Sequence, residues 1–382
     1  MKAPKPPKPA QPWYRTLPLW MYILLALGAA GVGARFLAAP AWLIFVLAAA
    51  GLIPLAGLIG RSTEDLAVYI GPKWGGLLNA TFGNAAELII AGVALQAGLL
   101  GLVKASITGS IIGNVLLVLG SGLILGGLRH GVQTFDQREA GHNASLLMMA
   151  LFGLLLPAIF NIAVPRQQVL LEEISVVVAV ILIVLYVLYI LYGFTAAEPE
   201  PLRRELQPEP QEEQHEPWPR SVALGVLAVA TIATVVLSEM LVGTVEAVTE
   251  ALGISEFFIG VIIVPIIGNV AEHFSGIVLA SKNKMDIALG IAAGSSTQVA
   301  LLVAPLLVLL GLLFWQINVI STPLDLVFVP MEIAAVGAAA IIFNYISHDG
   351  ETTWLEGAIL VGLYVMLAVV FFFLPFSEAT AH

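Results

Sequence analysis

The chain has 382 residues, of which 59% are hydrophobic and 11% charged, and its mean hydropathy is +0.96. Soluble domains carry about a quarter charged residues, so the composition excludes a soluble globular protein and points to a polytopic membrane protein in contact with the lipid bilayer. With 16 basic and 26 acidic residues the net charge is −10, which leaves no basic surface for nucleic acid. The chain has no cysteine, which excludes disulfides, thiolate metal sites and cysteine nucleophiles.

Residues 1–16 begin with a Lys/Pro-rich stretch and are expected to be a disordered tail. Windows with few or no charges then fall at 17–36, 41–60, 74–100, 105–128, 144–165, 174–196, 219–241, 257–281, 287–314, 326–347 and 356–376. Each approaches the roughly 20 residues a spanning helix needs, and none alternates like a barrel strand. They predict an all-α membrane protein with eleven transmembrane helices. With that count, only Arg35, Lys104 and Arg166 among the basic residues fall on the side opposite the N-terminus. The basic side is cytoplasmic. An integral, multi-pass cell membrane protein with its N-terminus inside and its C-terminus outside is therefore expected.

Residues 197–219 interrupt the apolar pattern. Glu198, Glu200, Glu205, Glu209, Glu212, Glu213 and Glu216 face only Arg203 and Arg204, in a proline-rich context. This reads as an acidic cytoplasmic linker, with a weaker reading as a segment that gathers cations. It separates residues 41–196 from 220–377, each with five windows, and leaves 17–36 as an extra helix.

One motif occurs in each half, as Gly83-Asn84-Ala85-Ala86-Glu87 and as Gly268-Asn269-Val270-Ala271-Glu272. Gly109-Ser110 follows Glu87 at the same spacing as Gly294-Ser295 follows Glu272. Two echoes in one register indicate duplication. Because five is odd, the halves would enter the membrane from opposite faces, which gives two inverted five-helix repeats, an architecture of transporters with sites near the midplane.

Glu87 is the only charge between Lys73 and Lys104, and Glu272 stands alone between Glu256 and Lys282. A lone carboxylate deep in an apolar stretch is costly and marks function. The preceding Gly83-Asn84 and Gly268-Asn269 pairs weaken a helix, and Pro265 adds a second break in the later copy. Local unwinding is expected at both, with carbonyls freed beside each acid. Carboxylates plus carbonyls form a hard oxygen site suited to Ca²⁺. Buried carboxyls in general favour the neutral form, so such groups can alternate between metal and proton.

Ser106, Ser110 and Asn114 share one helical face, and Ser295 and Gln298 are their counterparts, with Ser296 and Thr297 alongside. Ser110, Asn114, Ser295 and Gln298 are expected to line the cation path, while the neighbouring glycines allow close helix packing. His273 reads as lining or structural. Glu239 and Glu332 are secondary candidates for a vestibule or proton route. Glu64 and Asp65, beside Arg61, read as solvated loop charges. No metalloprotease, nucleophile-elbow or Walker pattern is present; a transporter rather than an enzyme is expected, with no cofactor, and with Ca²⁺ only as cargo.

These residues resemble the Ca²⁺/H⁺ exchanger (CAX) family of the cation/Ca²⁺ antiporter superfamily. The resemblance rests on the two Gly-Asn-x-Ala-Glu segments, the second followed by His273. It also rests on Lys282-x-Lys284-x-Asp286-x-Ala288-Leu289-Gly290, Gly294-Ser295-Ser296-x-Gln298, and Asp349-Gly350 with Trp354-Leu355-Glu356-Gly357. It implies an eleven-helix fold in which Glu87 and Glu272 bind Ca²⁺ and protons in turn. Sodium-coupled relatives usually carry a Thr-Ser-x-Pro-Glu type motif instead, so the resemblance favours the proton as counter-ion. A Na⁺(K⁺)/H⁺ antiporter using the same acids and a passive cation channel are the competing readings.

Overall fold

A computed structural model describes residues 13–71, 75, 78, 81–165, 167–195 and 217–374. Most of the expected tail, and the linker from 197 to 216, lie outside the described residues. The fold is nearly all helix. After a 3-10 turn at Trp13–Thr16 come α1 (Leu19–Phe36), α2 (Ala41–Ile70), α3 (Ala85–Gln96), α4 (Leu100–His130), α5 (Gln137–Ala163) and α6 (Gln168–Thr195). The second half contains α7 (Arg220–Val242), α8 (Val245–Leu252), α9 (256–281), α10 (Met285–Gln316), α11 (Pro330–Ser347) and α12 (Trp354–Phe373).

Among the described residues nine helices are long and apolar enough to span a membrane, or ten if the bent pair α8–α9 counts as one. The difference from eleven windows has two local causes. The window 74–100 is interrupted at Gly83-Asn84, so that only the 12-residue α3 follows it. The window 257–281 is preceded by a 115° bend between α8 and α9, where Gly253 takes a left-handed φ of 65° and Ser255 caps the next helix through the Phe258 N–H.

The centre of the molecule is built on α4 and α10, buried over 72% and 61% of their apolar windows, whereas only 17% and 22% of the windows of α1 and α12 are buried. Each central helix contains a π-helical turn, Gly113–Val118 in α4 and Val299–Val303 in α10, shortly after Gly-Ser. A third lies in α9 at Ile259–Ile263. Such turns widen a helix by one residue and recur at functional sites. Gly109 lets α4 approach α9 closely, since a side-chain carbon there would stand 2.1 Å from the Val261 carbonyl oxygen.

Gln133–Thr134 (β1) pairs antiparallel with Glu351–Thr352 (β2). Gln133 also donates to the Ala280 carbonyl and to Asn283, both at 2.9 Å, so three connections are tied together. Trp218, immediately before α7, is almost fully buried. Its N–H donates to Asp65, its carbonyl accepts from the Tyr69 hydroxyl, and its indole N–H donates to Thr16. Arg61 lies 4.4 Å above its ring and Trp13 meets it edge-on. Arg61, Glu64 and Asp65 are therefore not solvated loop charges. They belong to α2, which runs ten residues past the expected window, and Asp65 is buried. Residues 62–67 of that helix are largely buried within the protein, while its last three residues, Val68, Tyr69 and Ile70, are exposed.

Candidate functional site

Glu87 sits in the first turn of α3, just after the break at Gly83-Asn84, and is 8% exposed. Its Oε1 accepts hydrogen bonds from Ser110 of α4, at 2.5 Å, and from Asn269 of α9. Asn269 also reaches Ser110 Oγ, at 3.3 Å. The first carboxylate is therefore held by one donor from its own half and one from the other.

Asn84 Nδ2 donates to Gln298 of α10 at 2.7 Å, again crossing between halves. Asn114 Nδ2 donates to Ser295 Oγ at 3.0 Å, and Asn114 Oδ1 accepts from His273 Nε2 at 3.1 Å. Ser295 in turn lies beside the Glu272 carboxyl. The structure thus brings Asn84, Glu87, Ser110, Asn114, Asn269, Glu272, His273, Ser295 and Gln298 into one polar core among α3, α4, α9 and α10.

Three buried oxygens in this core have no hydrogen-bond partner: Asn84 Oδ1, Glu87 Oε2 and Glu272 Oε2. An acceptor buried without a donor costs roughly 1–3 kcal/mol, so a cation, a proton or a water donor at these oxygens would be favourable. Among the described residues no three His, Cys, Asp or Glu side chains form a metal cluster. Two carboxylates supplemented by amide and hydroxyl oxygens suit a hard divalent cation.

The expected unwinding holds for Gly83-Asn84, which form a turn, and fails for Gly268-Asn269, which lie inside the helix Val264–Ser281. Pro265 lies inside α9, directly after the π turn Ile259–Ile263, where the widened helix already departs from the regular i→i−4 ladder, and the helix runs on through it. Asn269 spends its amide on Glu87 rather than on its own backbone. Gly268 serves packing, since a side-chain carbon there would stand 3.0 Å from Glu87 Cγ.

Neither secondary acid belongs to the core. Glu239 is exposed on α7. Glu332 is 1% exposed and both its oxygens are engaged, one by the Val329 N–H at 2.8 Å at the start of α11 and one by Thr108 at 3.0 Å. It caps a helix rather than lining a vestibule. Conversely, Glu64 on α2 faces Glu272 closely enough for their charges to interact. Its signal in the sequence was its place within one turn of Arg61 and Asp65, at the end of a long apolar helix.

The sodium/calcium exchanger protein family matches residues 40–195 and 222–373. The chain is 43% identical over 348 residues to a Ca²⁺/H⁺ antiporter of Synechocystis sp., covering 87% of this chain and 91% of that protein. It is 42% identical to the Ca²⁺/H⁺ antiporter ChaA of Bacillus subtilis over 337 residues, 88% and 93% of the two chains. The solved structure of native YfkE superposes with a TM-score of 0.79 at 40% identity, over 93% of this chain and all (100%) of that one. The H⁺/Ca²⁺ exchanger CAX, at 15% identity, shares the fold with a TM-score of 0.67, over 92% and 91%. The chain is an integral membrane protein of the sodium/calcium exchanger protein family, and within it of the Ca²⁺/H⁺ exchanger (CAX) family.

Proposed function

We propose that this protein is a proton-coupled Ca²⁺ antiporter that exports Ca²⁺ across the cytoplasmic membrane by alternating access. The observation that carries the reading is the pair of acids, Glu87 and Glu272, in one polar core with a partnerless buried oxygen on each. A divalent cation satisfies both oxygens and both charges at once; protons satisfy the same oxygens in its absence. The two ligand states exclude each other at the same atoms, which is the requirement for exchange rather than leak.

Asn269 and Ser110 orient Glu87, and Ser295 with Asn114 and His273 orients the opposite side. Hydrogen bonds crossing between halves make the geometry of each acid depend on the position of the other half. The twofold match of the family to this chain supports duplication, and with it the inverted layout of two five-helix units after one extra helix. In that layout the eleven segments place the N-terminus in the cytoplasm.

Everted membrane vesicles test the function. Ca²⁺ uptake should collapse when the pH gradient is dissipated and should be unaffected when Na⁺ is replaced by an inert cation. Uptake that survives loss of the proton gradient and follows Na⁺ overturns the reading. A cysteine at Gln207 should react only from the cytoplasmic side, since the chain has no other cysteine.

A further inference from the structure

Between α10 and α11, residues 323–328 are buried yet form no helix. Irregular backbone at such a place is tolerated only when the protein itself satisfies it, and here α4 and α6 do so. Lys104 of α4 forms an ion pair with Asp325, the two side chains being 15% and 9% exposed. One turn further along α4, Thr108 donates to Glu332 at 3.0 Å. The Val327 N–H donates to Asp325 at 2.8 Å, and the Leu326 N–H donates to Ser175 of α6 at 3.0 Å.

Residues of this segment and of α4 line two cavities. A wide one, about 400 Å³, is lined by Asn161, Gln167, Gln168 and Asp325 among others. A narrow one, about 10 Å³, is lined by Glu87, Ser106, Ile107 and Ser110, room for a single water. Asp325 belongs to the wide cavity, and Ser106, two residues from its partner Lys104, belongs to the narrow one. In the eleven-segment layout proposed above, both lie towards the face opposite the N-terminus.

We propose that residues 323–328 are the seal between Glu87 and the face opposite the N-terminus, and that the Lys104–Asp325 pair is its lock. The pair parts whenever the site opens to that face. The proposal rests on the alternating-access reading above. A buried ion pair adds little net stability over a neutral pair, while removal of one partner is costly. A pair that can part into a cavity bearing Asn161, Gln167 and Gln168 exchanges one polar environment for another, which suits a reversible contact better than a permanent one.

The test uses the naturally cysteine-free full chain in vesicles of both orientations, with Ile107→Cys as reporter in the narrow cavity and Gln316→Cys as reference for the face. The probe is a membrane-impermeant maleimide. In the neutral double variant Lys104→Met/Asp325→Asn, which leaves no charge unpaired, labelling of Ile107→Cys from the Gln316 face should rise about tenfold over the parent reporter, a shift of about 1.4 kcal/mol. The reversed pair Lys104→Glu/Asp325→Lys should return it towards the parent rate. Thr108→Val, a milder change that spares the ion pair, should give a few-fold rise and serves if the double variant fails to insert. Unchanged labelling in the inserted double variant, or in Thr108→Val where the double does not insert, overturns the lock. Equal labelling in neutral and reversed pairs also overturns it. Labelling needs no Ca²⁺, so failure of the parent to exchange Ca²⁺ for protons would count against the function alone.

Discussion

Two segments of nearly identical sequence, Gly83–Glu87 and Gly268–Glu272, have different structures. The first turns at Gly83-Asn84 and starts a short helix; the second continues through an 18-residue helical stretch. Asn269 donates across to the opposite carboxylate, whereas Asn84 donates to Gln298. Glu87 is buried and Glu272 is partly open. Surroundings, not the five residues themselves, decide which copy bends. A carrier at rest in one state needs this inequality, because two equal half-sites would leave both membrane faces equally open.

The largest effect should come from removing either acid. Glu87→Gln and Glu272→Gln each leave a divalent ion with one carboxylate in a low-dielectric site, a loss of about 3–5 kcal/mol. Each should reduce Ca²⁺/H⁺ exchange in vesicles by more than about a hundredfold while the protein still inserts. Near-normal exchange by either variant would mean that the two segments do not share one task. Glu→Asp at either position should be damaging but less severe.

The asparagines sharpen the comparison. Asn269→Ala removes a donor to a carboxylate, worth about 1.5–3 kcal/mol, whereas Asn84→Ala removes a neutral amide pair worth about 1 kcal/mol. Apparent Ca²⁺ affinity should therefore fall roughly tenfold or more for the first and only a few-fold for the second. Equal losses would show that the two asparagines act alike during the cycle.

Packing gives a smaller difference. Gly109→Ala forces α4 away from the Val261 carbonyl and should lower unfolding stability by about 1–3 kcal/mol, visible as a lower melting temperature in detergent. Gly113→Ala, with nothing within 4 Å of the added carbon, should leave melting nearly unchanged. Smallest of all are the acids outside the core. Glu332→Gln weakens a helix cap by about 0.5–2 kcal/mol and should retain exchange; exposed Glu239→Gln should change stability by less than about 0.5 kcal/mol.

The acids were legible because a single charge in a long apolar stretch stands out, and their pairing because the spacing to Gly-Ser recurs. Glu64 and Asp65 were not, because a span read from hydropathy ends at its first charges, while α2 continues past them, with Asp65 buried against the Trp218 N–H and Glu64 close enough to Glu272 for their like charges to interact. The partners of Asn84 and Asn269 depend on helix packing across the halves, which spacing along the chain does not encode. The π turns have no periodic signature, and the expected span 326–347 takes in residues 326–329 because they are apolar, although the helix begins only at Pro330 and Asp325 cross-links the segment before it.

Trp218 is a mechanical fixed point. Its backbone is gripped on both sides, and its ring is held by Arg61, Thr16 and Trp13. A pull transmitted along the preceding chain is divided among α2 and the N-terminal turn before α7 bears any of it. The second half therefore starts from an anchor at Trp218, so a change of length in the chain before it is expected to leave α7 in place.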